Sequence, residues 1–228
     1  MWQAVREELR PFGIEIVTVA LDSRGHETAS PWIERADAKH PSLIDAAHTL
    51  DELFGIVNVP SGVWIDEDGI IVRPPETAYP RRPTFLDREP RPDDPPHVRA
   101  RILAVKGLRI DADTYMAALR DWAHHGRQSR FALSAAEVVR RSRGRTLEEA
   151  TAAAHFELAQ HLYFGGDTDT AVAHFRQAHR LQPDNWTYKR QAWSLADPTQ
   201  GPTPQYDGDW LKDVEQIGAE NYYPALNM

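Results

Sequence analysis

Histidines and carboxylates are the side chains here that could do acid–base or metal chemistry. The chain has ten histidines and 34 acidic residues, but no cysteine. Without a thiol there is no disulfide, no thiolate metal site and no sulfur nucleophile. The histidines are poorly spaced for a metal, because two ligands share a helix face at separations of three or four. His124 and His125 are adjacent, His155 and His161 are six apart, and His174 and His179 are five apart. "DEDG" at 66–69 is acidic like the start of a calcium loop, but it lacks the later ligands and the closing Glu. The apolar runs Gly62–Ile65 and Ile70–Val72 flank it, so it reads as a hairpin turn with Gly69 at positive φ. "RRSRGR" at 140–145 reads as a solvated helix end. There is no Gly-rich phosphate loop and no Gly-x-Ser-x-Gly. No metal and no other cofactor is expected.

Composition narrows the classes further. The 228 residues carry 26 basic and 34 acidic side chains, a net charge of −8. An acidic surface argues against nucleic acid or an anionic membrane as partner. No apolar run reaches the roughly 20 residues of a bilayer span. The charged start "MWQAVREELRPFG" is unlike a signal peptide. These features predict a cytoplasmic chain.

The elements that must position any site follow from periodicity. Trp2, Val5, Leu9 and Phe12 share a helical face, and Pro11 and Gly13 end that helix. "IEIVTVALD" at 14–22 is nearly continuous in apolar, β-branched residues, which predicts a strand buried on both faces. Ser30 and Pro31 suit the N-cap and first position of a helix over 30–40. "PSLID" reads as a short strand and "AHTLDELFGI" as a short helix ending at Gly55. The Pro-rich 73–98 reads as a solvated excursion and 100–110 as a strand or hairpin. A helix capped near Asp111 or Asp113 places Tyr115, Met116, Leu119, Trp122 and Ala123 on its apolar side. From 134 the pattern is helical, with Gly165-Gly166-Asp167 turning one helix into the next, and Trp210, Val214 and Ile217 mark a last short helix. Trp32, Trp64, Trp122, Trp186, Trp193 and Trp210 all sit in apolar patterns that suit packing.

Two resemblances arise from these stretches. "FGIVNVPSGVWIDEDGIIV" at 54–72, with "VREELRPFGIEIVTVALD" before it, resembles the thioredoxin superfamily, most closely its TlpA/ResA-like and peroxiredoxin-like branches. The likeness covers residues 1 to about 72, with 111–125 as candidate closing helix. It implies a cis Val59–Pro60 peptide and a substrate-binding role for Asn58, Val59 and Pro60, whose exposed backbone would pair with substrate backbone. Further on, Ala171, Phe175, Ala178 and Pro183, preceded by Leu158, Ala159 and Gly166-Asp167, are similar to a tetratricopeptide repeat. His155 stands where that repeat usually has Trp. One repeat cannot bury its own face, so 134–145 and 186–195 are its candidate neighbours.

The expected fold is therefore α/β: a thioredoxin-like mixed sheet, incomplete at its N-terminus, over 1–130, with the Pro-rich excursion at 73–98. A small all-α tetratricopeptide-like domain over 134–195 follows, and then a tail over 196–228 with a short helix. Family order would place the Cys motif, and the central strand before it, ahead of Met1. Leaving out a central strand exposes two rows of unpaired backbone groups. Three arrangements would satisfy them: an upstream segment, whose motif in some relatives carries selenocysteine; residues 100–110 filling the gap; or a strand from a second chain, as in a homodimer that completes the sheet. The resemblance implies thiol or selenol redox chemistry, such as thiol-disulfide oxidoreductase or peroxidase-like activity. This Cys-free chain lacks the nucleophile and is expected to be redox-inactive. The other reading is a non-enzymatic module that binds a protein partner or extended peptide through the Val59–Pro60 groove and the helical domain.

Overall fold

The computed structural model describes residues 1–228. The chain is mixed α/β and 53% helical, with ten helices and two small sheets. Helix α1 (Trp2–Leu9) and a 3-10 turn lead into strand β1 (Thr18–Leu21). Helix α2 (His26–Ala36), strand β2 (Ser42–Asp45) and helix α3 (Thr49–Phe54) follow. The hairpin is β3 (Ser61–Ile65) and β4 (Ile71–Thr77), with Gly69 at φ 77° in its turn. Then come α4 (Pro96–Lys106), α5 (Ala112–His125), α6 (Ala135–Arg141), α7 (Leu147–Phe164), α8 (Thr168–Leu181), α9 (Trp186–Ala196) and α10 (Trp210–Ile217). No helix is long and apolar enough to cross a membrane.

The strands do not make the single mixed sheet expected. β1 pairs only with β2, in parallel, with Thr18 opposite Ser42 and Leu21 opposite Asp45. β3 pairs only with β4, antiparallel, with Ser61 opposite Thr77. β1 is consequently half-buried along its length rather than buried on both faces, and Val17 just before it is 53% exposed. It pairs with one strand only, so it is an edge strand rather than a central one.

Other expectations change for local reasons. Residues 100–106 belong to helix α4, not a strand: Pro96 at its first position presets the helical φ, and Ile102 alone of its side chains is fully buried. They do not add a strand beside β1 or β3. α2 starts at His26, a turn before the expected Ser30–Pro31 start, so Pro31 lies inside it and leaves the Glu27 carbonyl without its i+4 donor. The Pro-rich excursion begins later than its composition suggests, because β4 runs through Pro74 and Pro75 to Thr77. Trp32 is 68% exposed, with the Arg35 guanidinium 4.9 Å from its ring centroid, whereas the other five tryptophans named above are buried.

Two apolar clusters hold the chain. Val5 and Leu9 of α1, Trp64, Val72 and Ala78 of the hairpin region, and Tyr115, Met116, Leu119 and Trp122 of α5 form one. Trp64 stacks on Trp122 at 5.1 Å and donates its indole N–H to the Tyr115 hydroxyl at 3.1 Å. Arg73 of β4 is fully buried there, donating to the carbonyls of Phe131 (2.6 Å) and Asn227 (2.5 Å) beside Glu76 at 3.0 Å. The second cluster is helical. Ala152, Phe156 and Ala159 of α7 meet Ala171, Phe175 and Ala178 of α8, where alanines let the two helices approach closely. α7 opens on a capping box between Thr146 and Glu149, and Asp167 caps α8. Trp186, Tyr188 and Trp193 of α9, Trp210 and Val214 of α10, and Tyr222 and Tyr223 complete it. Leu108 and Ile110, within the range assigned to the first unit, pack on this second cluster, while Leu226 and Met228 reach back to the first.

His179 of α8 is packed between Trp193 and Tyr206, with its Nε2 buried and unpartnered. Burial, then the charges of Lys189 and Arg180, lower its pKa to about 4, against a weaker hydrogen-bond effect at Tyr188. The ring is therefore neutral in the fold where the unfolded chain, at the ordinary 6.5, would bind a proton. Stability is complete above pH 6.5 and falls as pH drops toward 4. His179→Phe is expected to remove an acid loss on the order of 2–3 kcal/mol, read by urea unfolding of both proteins at pH 7.5 and pH 4.5. An unchanged pH profile in the variant would contradict the assignment.

Candidate functional site

The loop 57–60 is where the two clusters meet. Val59–Pro60 is cis, as the resemblance implies. The helix N-terminus of α9 sits on this loop: the Val57 carbonyl accepts from the Trp186 N–H at 2.6 Å and the Thr187 N–H at 3.2 Å. Asn58 is buried, and its amide donates to the Tyr222 carbonyl at 2.9 Å. Its Oδ1 accepts from the Val59 N–H at 2.9 Å, and its own carbonyl accepts from the Ser61 hydroxyl at 2.7 Å. The Tyr223 hydroxyl reaches the Val59 carbonyl at 3.4 Å and shares a 2.8 Å bond with the Tyr79 hydroxyl. The Pro60 carbonyl accepts from Ala78 N–H in the hairpin. The three residues singled out from sequence are thus together, but their polar groups already have partners within the chain, from the Tyr222–Tyr223 segment, from Ser61 and Ala78, and from one another.

Beside the loop lies a cavity of about 200 Å³. It is bounded by Leu21, Asp22 and Arg24 at the end of β1, by His48 and Val59, and by Thr187, Arg190, Gln191 and Ser194 on one face of α9. The C-terminal end of β1 and the residue preceding β3's proline therefore share one opening. Crevices at the carboxyl ends of parallel strands are common ligand sites in α/β proteins.

A buried hydrogen-bond chain forms the floor. His48 caps α3 from a left-handed backbone conformation (φ 58°) and is 2% exposed. Its Nδ1 lies 2.9 Å from Asp51 Oδ2 and its Nε2 lies 3.2 Å from Gln191 Oε1. The same Gln191 oxygen accepts from the Ser23 N–H at 3.1 Å, and Gln160 of α7 donates to the Ser23 hydroxyl. Burial works against a charged His48, yet Asp51, through hydrogen bond and charge, together with Gln191 and Asp45, raises its pKa above the ordinary value. The chain links the β1–α2 loop, α3, α7 and α9. Nearby, Glu52 of α3 accepts from the Tyr188 hydroxyl and pairs with Arg145 at 2.6 Å.

Sequence reasoning compared histidines with one another and so missed His48, whose partner Asp51 stands three residues on in the first turn of a helix. Arg24, Arg190 and Gln191 carried no sequence signal, since they converge only when α9 docks. The histidine pair that does form, His155 with His174 at 2.7 Å between their Nδ1 atoms, spans α7 and α8 and was invisible to spacing within one helix.

No protein-family model, no curated protein and no solved structure matches this chain.

Gln191→Leu is expected to destabilise the fold by about 2–3 kcal/mol, because the Ser23 N–H and His48 Nε2 lose their common acceptor in a buried place. Denaturant unfolding at pH 7 measures it. A loss below about 0.5 kcal/mol would mean the chain is not a structural tie.

Proposed function

We propose that this chain is a thioredoxin-like α/β unit carrying a tetratricopeptide-like helical hairpin, and that it binds an extended polypeptide strand rather than turning over disulfides or peroxides. The thioredoxin-like reading is supported by the order α1, β1, β2, cis-proline loop and β3–β4 hairpin, closed by α5. The repeat-like reading is supported by Ala171, Phe175 and Ala178 facing α7 in the second cluster. Family chemistry needs a low-pKa thiol or selenol at a helix N-terminus, and the chain has no cysteine.

The observation that carries the binding reading is the pair of free strand edges. The Thr18 N–H donates to the Pro41 carbonyl. Parallel pairing alternates, so Thr18 and Ala20 face β2 while the N–H and C=O groups of Val19 and Leu21 point the other way. The Ala78 N–H donates to Pro60, so Pro60 and Gly62 face β4 while Ser61 presents its backbone groups away from it, up to the register shift that follows Gly62. Leu21 and Val59 line one cavity at one end. At the other, Ile14 and Ile16 pack on the cluster that holds Trp64. The two edges are bracketed by shared surroundings, an arrangement that invites strand addition. The strand comes from another polypeptide, with a second copy of this chain among the sources.

Linear peptides selected on the immobilised full chain from a random library test this. Binders are expected to be lost in Val19→Pro, which removes an outward N–H and leaves the β2 ladder intact, and retained in Arg143→Gln. Binding that survives Val19→Pro, with the fold of the variant verified by circular dichroism, would refute strand addition at β1. An insulin-reduction assay of the full chain is expected to show no turnover above background.

A further inference from the structure

We propose that the cavity between the end of β1 and α9 is a binding site for a small oxyanion, a carboxylate or phosphate group. This goes beyond the strand-binding reading and does not depend on it.

Charge makes the case. The protein is acidic, at net −8, yet two guanidiniums, Arg24 and Arg190, line this cavity against a single carboxylate, Asp22. Arg24 has one long ion pair, from Nε to Asp22 Oδ1 at 3.7 Å, which is beyond hydrogen-bond length and leaves that buried Nε without a hydrogen-bond partner. That Asp22 oxygen already accepts from the Arg24 backbone N–H at 3.0 Å. Arg190 has no carboxylate within 4 Å; its Nε donates to the neutral Gln200 amide at 3.2 Å, which leaves its two terminal nitrogens free.

The α9 side of the cavity is polar but internally paired: the Thr187 hydroxyl donates to Asn185, the Gln191 amide to Ser194, and the Ser194 hydroxyl to the Gln191 carbonyl, so the two guanidiniums are the groups that would hold the anion. The buried chain from Gln160 through Ser23 and Gln191 to His48 holds that face rigidly against β1. A guanidinium fork meets a carboxylate or phosphate with two parallel bonds. At about 200 Å³ the cavity is below the roughly 300–1,000 Å³ of sites for drug-sized ligands, so the ligand is a small anion or the anionic head of a larger one.

Isothermal titration of the full chain with oxalate, and separately with inorganic phosphate, at ionic strength fixed by chloride, tests the site and separates the two sources. Saturable one-to-one binding of at least one of them is expected, weakened about tenfold or more in Arg190→Gln and unchanged in Arg143→Gln, whose arginine pairs with Glu149 elsewhere. Arg24→Gln, on a loop, serves as the second variant should Arg190→Gln fail to fold. Absence of saturable binding by both anions, or binding that neither cavity substitution weakens, overturns the proposal. Loss of peptide capture by Val19→Pro with intact anion binding would separate this site from the strand edges.

Discussion

The carbonyl oxygen of Val57 takes two hydrogen bonds from the first turn of α9, and the arrangement of both halves follows from that contact. A helix begins with N–H groups that have no partner inside it, and a partial positive charge gathers there. Seating those donors on a carbonyl of the cis-proline loop satisfies them without solvent. It also fixes the rotation of α9. Trp186 and Trp193 then fall into the helical core, while Thr187, Arg190, Gln191 and Ser194 turn toward the end of β1. The cavity and the buried chain through Gln191 exist because this one helix is placed against this one loop.

A second consequence concerns what covers the loop. Tyr222 and Tyr223 hold Asn58 and reach Val59, and Asn227 binds Arg73 and Arg141 from the last residues of the chain. The C-terminal segment acts as a strap across both clusters. It occupies polar groups that the thioredoxin-like resemblance would leave to a substrate. Binding, in the reading proposed here, shifts from the proline loop to the strand edges beside it. Each of those strands is paired on one side only, and an isolated two-stranded sheet gains little stability by itself. The packing of α1 and α5 on β3–β4, and of the α9 junction near β1, keeps the strands in place.

Much of this was legible in the sequence, for identifiable reasons. The hairpin was, because Asp68-Gly69 between two apolar runs has few other conformations. Helix α5 was, because Asp111 caps a strict apolar stripe from Tyr115 to Trp122. The α7–α8 turn was, because Gly166 at φ 91° can do what a larger residue resists. Failures came where tertiary context outweighed pattern. β1 reads as a doubly buried strand, but its composition cannot report that it pairs with β2 alone. Residues 100–106 read as extended, but the prolines before them and the docking of α4 on α10 favour a helix. At the site, Asn58, Val59 and Pro60 were found as a contiguous motif. Arg24, His48 and Arg190 were not, because 166 residues separate the two arginines and only folding brings them to one cavity.

The claim that β1 and β3 each carry one paired and one open edge is tested most directly by residue-resolved amide hydrogen exchange on the full chain alone. Alternation is predicted: Thr18 and Ala20 protected, Val19 and Leu21 exchanging at least about tenfold faster, with Gly62 protected and Ser61 fast. Uniform protection along 18–21 and 61–62 would show that both edges are already paired in solution and would contradict the account.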